Sequence, residues 1–172
     1  LAAIDESLRS LGFKLANFHK YFMDFDTLKT YIHRDFHFHN LFIHPDLDLF
    51  TMIDVESMAS TIKRKDNFAD DIYMFFMVPI IYGGKYGVPE GITSSRWLAS
   101  LEVLVEGYLQ AYEDDKALQK RVYERIKRTV YTDLVSTFYN KRKKILDRKT
   151  TQYVKSKFAV VFKNLDQKFK VK

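Results

Sequence analysis

The residues that could carry chemistry lie in one short stretch, from His33 to Asn40, which reads His-Arg-Asp-Phe-His-Phe-His-Asn. Its aspartate, Asp35, can accept a proton from a hydroxyl group. The asparagine five residues later can offer an amide oxygen to a hard metal ion. A second aspartate, Asp54, follows an apolar run further along the chain. A base followed by two oxygen ligands in this order is typical of enzymes that transfer phosphoryl groups.

Two short strand-like runs must position these groups. Residues 41–44 and 49–53 are rich in apolar residues, and residues 45–48, Pro-Asp-Leu-Asp, have the composition of a turn. The pattern predicts a β-hairpin, in which the start of the first strand lies beside the end of the second. We therefore expect Asn40 and Asp54 to lie close together, with the loop aspartate nearby.

Most of the remaining chain is patterned as helices. Apolar residues recur at helical spacing over residues 3–23, 68–82, 95–112, 114–148 and 153–169. Residues 57–66, which are polar and basic, and residues 83–91, which are rich in glycine, predict loops. Pro79 predicts a kink or an end within the second helix.

The predicted fold is mostly α-helical with one small β-hairpin. A chain of 172 residues is long enough for a single domain with its own core. In this interpretation residues 1–172 form that domain. Residues 31–56 carry the loop and the hairpin, and residues 67–170 form the helical remainder.

Composition excludes several classes of site. The chain has no cysteine, so disulfides, cysteine-bound zinc and iron–sulfur clusters are excluded. No apolar run approaches the length that spans a bilayer, and the N-terminal residues have no signal-peptide pattern. A chain without cysteine fits a reducing compartment, and we expect a cytoplasmic location.

Charge is distributed unevenly between the two halves of the chain. Residues 1–86 contain 9 Lys and Arg against 12 Asp and Glu, a net charge of −3. Residues 87–172 contain 19 against 10, a net charge of +9. The basic half, with its run at residues 141–144, predicts contact with an anionic partner or a membrane surface. No nucleic-acid-binding motif is present, so nucleic acid is not an expected partner.

The loop motif resembles that of a known family. His33 to Asn40, with Ile53-Asp54-Val55-Glu56 after it, is similar to the aminoglycoside phosphotransferase and choline kinase superfamily. Members commonly show His-x-Asp-x-His-x-x-Asn followed by Ile-Asp-x-Glu. Residues 11–19 also resemble the helix before the family's catalytic loop, and the resemblance is specific over residues 8–75. It implies the C-terminal lobe of a protein kinase-like fold.

The resemblance implies an activity and a set of ligands. Asp35 matches the family's catalytic base, and Asn40 and Asp54 match the residues that bind Mg²⁺ and, through it, the nucleotide. Glu56 matches a further acid of the metal site. The implied cofactors are ATP and Mg²⁺. The implied reaction transfers the γ-phosphate to a hydroxyl group of a small molecule.

Four other residues matter to the resemblance. His33 matches the residue that supports the loop from beneath, and Asp71 matches an acid of the next helix that braces the loop. His37 occupies a position where protein kinases have lysine, which favours the small-molecule branch. Arg34 departs from the family, whose usual residue there is glycine. Arginine at this position is typical of protein kinases, so a protein kinase-like enzyme is an alternative.

Two further interpretations remain open. The four histidines at 33, 37, 39 and 44 could indicate zinc, but their spacing follows no established zinc pattern. The chain could also be a non-catalytic pseudokinase or a module that binds anionic surfaces. The six glycines form no phosphate-binding loop. We therefore expect the nucleotide-binding lobe to lie upstream of residue 1, and we expect little activity from this lobe alone.

Overall fold

The computed structural model describes residues 2–44, 49–61, 67–86, 95–133 and 148–169, and the following description concerns these residues. The α-helices are α1 (Ala2–Tyr21), α2 (Ala69–Tyr86), α3 (Ser95–Gln110), α4 (Lys116–Lys127) and α5 (Arg148–Lys168). A π-helical segment, Arg128–Asp133, continues α4. The prediction of a mostly helical chain is confirmed.

The strands form two small antiparallel sheets rather than one. Strands β2 (Leu41–His44) and β3 (Leu49–Met52) pair as the predicted hairpin. Strands β1 (Tyr31–Ile32) and β4 (Ala59–Ser60) form a second pair that the sequence analysis missed, because residues 57–66 were assigned to a loop. A pairing of two residues is too short to leave an alternating pattern in the sequence. The predicted turn at residues 45–48 lies outside the described residues.

Helix α2 extends beyond its predicted end. It runs through Pro79 and Gly83–Gly84 to Tyr86, so the prediction that a loop begins at residue 83 was wrong. Each glycine costs a helix about 1 kcal/mol relative to alanine. The first half of α2 is buried against the core, and the helix continues from there through the glycines. The rest of the predicted loop, residues 87–91, lies outside the described residues.

The other predicted helices hold, with shifted boundaries. Helix α1 ends at Tyr21 rather than at residue 23, and Phe22, just beyond this end, is 47% exposed. Asn67 accepts a hydrogen bond from the backbone N–H of Ala69 and so caps the start of α2. Helix α5 begins five residues before the predicted start at residue 153. Residues 134–147, which complete the predicted helix 114–148 and include the basic run, lie outside the described residues.

Helices α1 and α3 pack at the centre of the fold through glycine. A Cβ atom at Gly12 would lie 2.1 Å from the carbonyl oxygen of Leu104, and one at Gly107 would lie 2.0 Å from that of Arg9. The two backbones therefore touch where these glycines meet the facing helix. Around this crossing lies an apolar core that also takes in α2, α4 and α5.

The described helices do not include a membrane span. None of them combines the length and the apolar character that a crossing of the bilayer needs.

Candidate active site

The loop of residues 33–40 connects β1 to β2, and its own side chains shape it. Phe38–Asn40 form a 3₁₀ turn, and His37 precedes this turn in an extended conformation. The Nδ1 atom of His37 accepts a hydrogen bond of 3.3 Å from the backbone N–H of His39. Histidine thus fills the capping role that Ser, Asp or Asn usually fill at the start of a helical turn.

Asp35, Asn40 and His37 form one hydrogen-bonded cluster. The Nδ2 atom of Asn40 lies 2.9 Å from the backbone oxygen of Asp35 and 3.1 Å from its Oδ2 atom. The Nε2 atom of His37 lies 3.2 Å from Oδ1 of the same carboxylate. The Nε2 atom of His37 also lies 3.4 Å from Nδ2 of Asn40. The Oδ2 atom of Asp35 therefore accepts a hydrogen bond from Asn40, and the ring of His37 lies beside its Oδ1 atom.

The hairpin brings the two halves of the motif together. Leu41 pairs with Met52, and the backbone N–H of Ile53 donates to the backbone oxygen of Asn40 at 3.0 Å. The start of β2 therefore lies beside the residue that precedes Asp54. A second hydrogen bond connects the two halves of the motif. His33 is fully buried, and its Nε2 atom donates to the carbonyl of Ile53 at 2.8 Å.

Asp71, on α2, contacts the backbone of the loop. Its Oδ2 atom accepts a hydrogen bond from the N–H of His33 at 2.7 Å, and its Oδ1 atom accepts one from the N–H of Arg34 at 2.8 Å. The carboxylate is fully buried. Asp71 thus anchors the residues immediately before Asp35 to the helical core.

The backbone is strained on both sides of the site. Arg34 has φ 70° and Asp54 has φ 56°, a left-handed conformation that side chains other than glycine rarely adopt. Such residues cost about 1–3 kcal/mol each and collect at functional sites.

The donor set for a metal consists of hard oxygen atoms. Asn40 turns its Nδ2 atom toward Asp35, so its Oδ1 atom lies on the other edge of the amide. Asp54 and Glu56 are exposed beyond the end of β3. One amide and two carboxylates suit Mg²⁺, which completes its coordination with phosphate oxygens and water. The chemical type of these ligands fits Mg²⁺, while the described residues contain no group of three His, Cys, Asp or Glu side chains close enough to hold a metal.

The zinc alternative finds no support in the described part of the chain. There, no group of three or more His, Cys, Asp or Glu side chains lies close enough to hold a metal. The rings of His37 and His39 are neighbours, with centroids 5.6 Å apart. His33 instead directs its ring to a backbone carbonyl, and the side chain of His44 lies outside the description.

Two features near the loop had not been assigned to the site from the sequence. Phe38, three residues after Asp35, is 43% exposed, and its ring centroid lies 5.0 Å from that of Trp97 and 4.6 Å from that of Phe75. This aromatic wall (Phe38, Phe75 and Trp97) lies next to the loop. The second feature is His19, whose Nε2 atom lies 3.0 Å from Oδ2 of Asp71.

Comparisons of this chain with protein-family models, with curated proteins and with solved structures found no match. Function is therefore inferred from the contacts of the site residues.

Proposed function

We propose that this chain is the catalytic lobe of an ATP-dependent phosphotransferase that acts on a hydroxyl group of a small molecule. The observation that carries the proposal is the cluster around Asp35. Its side chain is 39% exposed while its Oδ2 atom accepts a hydrogen bond from Asn40 and its Oδ1 atom lies 3.2 Å from Nε2 of His37. A carboxylate that is fixed in place and still open to solvent can receive the proton of an acceptor hydroxyl.

The proposed reaction assigns a task to each of these groups. As the acceptor oxygen bonds to the γ-phosphorus and the bond to ADP breaks, Asp35 takes the hydroxyl proton and later releases it to water. Asn40, Asp54 and Glu56 would hold Mg²⁺, which when bound offsets the negative charge of the phosphates. His37 keeps the Asp35 carboxylate oriented.

The aromatic wall supports a small organic acceptor. Phe38 offers an exposed ring on the same turn as the base, and Trp97 extends that surface from α3. Aromatic faces bind apolar ring faces and hold them in a defined orientation. Trp97 is the single tryptophan of the chain, so its fluorescence reports on an acceptor that binds there.

The experiment is a transfer assay with the protein expressed from its natural gene. ATP with a labelled γ-phosphate, Mg²⁺ and a panel of amino alcohols, sugars and lipid-linked saccharides are supplied. Asp35→Asn should lower kcat by about 10²–10⁴-fold, the usual contribution of a general base. Asp26→Asn, a matched change at an exposed site, should leave kcat unchanged. Equal activity in the Asp35→Asn variant would rule out this mechanism.

A protein acceptor is a second candidate, which the exposed side chain of Arg34 favours. Label that enters protein and no member of the small-molecule panel would support this candidate over the first.

A third candidate is a binding role for the basic helices. Helix α4 and the start of the π-helical segment expose five cations, Lys116, Lys120, Arg121, Arg125 and Arg128, with Glu124 among them. Such a face attracts anionic surfaces through a screened electrostatic force. Binding to phosphatidylserine vesicles that weakens steeply as salt is raised would support it. Binding that salt leaves unchanged would count against it.

A further inference from the structure

A line of buried polar side chains runs from the loop into the core. Asp71, which accepts the N–H groups of His33 and Arg34, lies 3.0 Å from Nε2 of His19. The Nδ1 atom of His19 lies 2.8 Å from the hydroxyl oxygen of Tyr108 on α3. All three side chains, Asp71, His19 and Tyr108, have no exposed surface. We call them the buried relay.

The chemistry of the relay gives it a direction. A carboxylate accepts hydrogen bonds, so His19 must carry its ring hydrogen on Nε2, the atom that faces Asp71. In the neutral ring Nδ1 is then an acceptor, and the hydroxyl of Tyr108 donates to it. Burial raises the pKa of Tyr108 well above its ordinary value, so this hydroxyl keeps its proton. Tyr108 thereby favours the ring tautomer that donates to Asp71.

The position of Tyr108 follows from the glycine crossing. Gly12 lies against the backbone of Leu104 and Tyr108, with its added Cβ only 2.9 Å from the Tyr108 nitrogen. Gly107, the residue before Tyr108, lies against the carbonyl of Arg9. Because neither helix can slide without a backbone clash, the ring of Tyr108 is held in place beneath His19.

We propose that Tyr108, acting through His19 and Asp71, is a positioning residue that holds the loop of residues 33–40 in its left-handed turn at Arg34. The inference rests on the proposed function, because it gives the relay the task of orienting the base, Asp35. Arg34 adopts φ 70° against its own preference, and its N–H bond to Asp71 is a contact that opposes relaxation. Loosening the relay should release that turn without touching nucleotide or acceptor.

Amide exchange tests the relay without any assay of activity. In Tyr108→Phe, exchange at the amides of His33 and Arg34 should rise about tenfold, as expected for the loss of about one hydrogen bond in a connected network. The matched control is Tyr123→Phe, which also removes a buried hydroxyl, one that bonds to Asp166 and the carbonyl of Phe162. It should leave those two amides unchanged. An equal rise in both variants would overturn the proposal.

Nitrogen NMR of the His19 ring gives a second readout, which needs only the unaltered protein. We expect a hydrogen on Nε2, and an unprotonated Nε2 would overturn the proposal even if Tyr108→Phe fails to fold. In the transfer assay, Tyr108→Phe should lower kcat about tenfold and leave the KM for ATP within twofold. If no acceptor is phosphorylated, the proposed function fails, and the exchange and NMR results still decide the relay.

Discussion

The loop site and the crossing of α1 with α3 are built in opposite ways. The loop, residues 33–40, is polar and partly exposed, and it contains a left-handed residue at Arg34. The crossing is apolar and buried, and it brings backbone against backbone at Gly12 and Gly107. Strain persists in a loop only when its surroundings over-determine it. In the proposed arrangement, the crossing of α1 with α3 constrains the loop through Tyr108, His19 and Asp71.

The largest effect is expected from a substitution that disrupts the crossing of α1 with α3. Glycine to alanine in a helix normally stabilises by about 1 kcal/mol. In Gly107→Ala the new Cβ would meet the carbonyl of Arg9, so we expect a loss of about 3 kcal/mol in the free energy of unfolding, measured with urea. Ala99→Gly, at an exposed position of the same helix, should cost only about 1 kcal/mol. A stabilised Gly107→Ala protein would contradict the close packing.

The next largest effect is expected from a substitution at Asp71, which connects the loop to the helical core. Asp71→Asn places an amide nitrogen where one carboxylate oxygen accepted an N–H group, so at least one buried donor loses its partner. We expect a loss of about 2 kcal/mol, together with faster amide exchange at His33 and Arg34. The control is Asp70→Asn, which alters the neighbouring carboxylate that accepts the N–H of Asn67 and should leave exchange at His33 and Arg34 unchanged. Unchanged exchange at these two amides in Asp71→Asn would show that the loop keeps its conformation without Asp71.

A smaller effect concerns the outer edge of the crossing and depends on pH. Burial alone would raise the pKa of Glu106, but hydrogen bonds from Lys168 and Arg9 lower it below the ordinary value of 4.5. A lowered pKa adds stability above pH 4.5, and this contribution is lost as pH falls through the folded-state pKa. Glu106→Gln should therefore cost about 1 kcal/mol at pH 7 and almost nothing at low pH.

The comparison for Glu106→Gln is Glu113→Gln, at an exposed site. Urea unfolding of both variants should be followed from pH 7 to pH 3. A cost in Glu106→Gln that stays constant over this range would contradict the ionic origin of the effect.

The smallest effect tests the loop from its own side. Arg34→Gly removes the strain of a left-handed residue, about 1 kcal/mol. Glycine also increases the conformational entropy of the unfolded chain, which lowers stability by a similar amount. The free energy of unfolding should therefore change by less than about 1 kcal/mol. Arg34→Val, which adds a branched side chain at φ 70°, should be clearly destabilising. Thermal unfolding distinguishes the two variants. Equal stability for glycine and valine would show that the loop is not strained there.

The sequence was enough to predict the hairpin and most of the helices. The hairpin followed from two apolar runs around a four-residue turn, and α1 followed from the spacing of Leu8, Leu11 and Leu15, all of which are buried. Helix α2 was predicted too short, because Pro79 and Gly83 favour an end locally, whereas the helix continues to Tyr86. The pair of β1 and β4 carried no signal because each strand has only two residues.

For the site, the sequence alone determined which groups are present and in what order: a loop aspartate, an asparagine five residues later and a second aspartate after a strand. Only the tertiary structure decided that the Asp71 carboxylate accepts the N–H groups of His33 and Arg34, and that His19 and Tyr108 lie behind it. Spacing along the chain sets local geometry. Contacts between residues as distant along the chain as His19 and Tyr108 depend on how the helices pack.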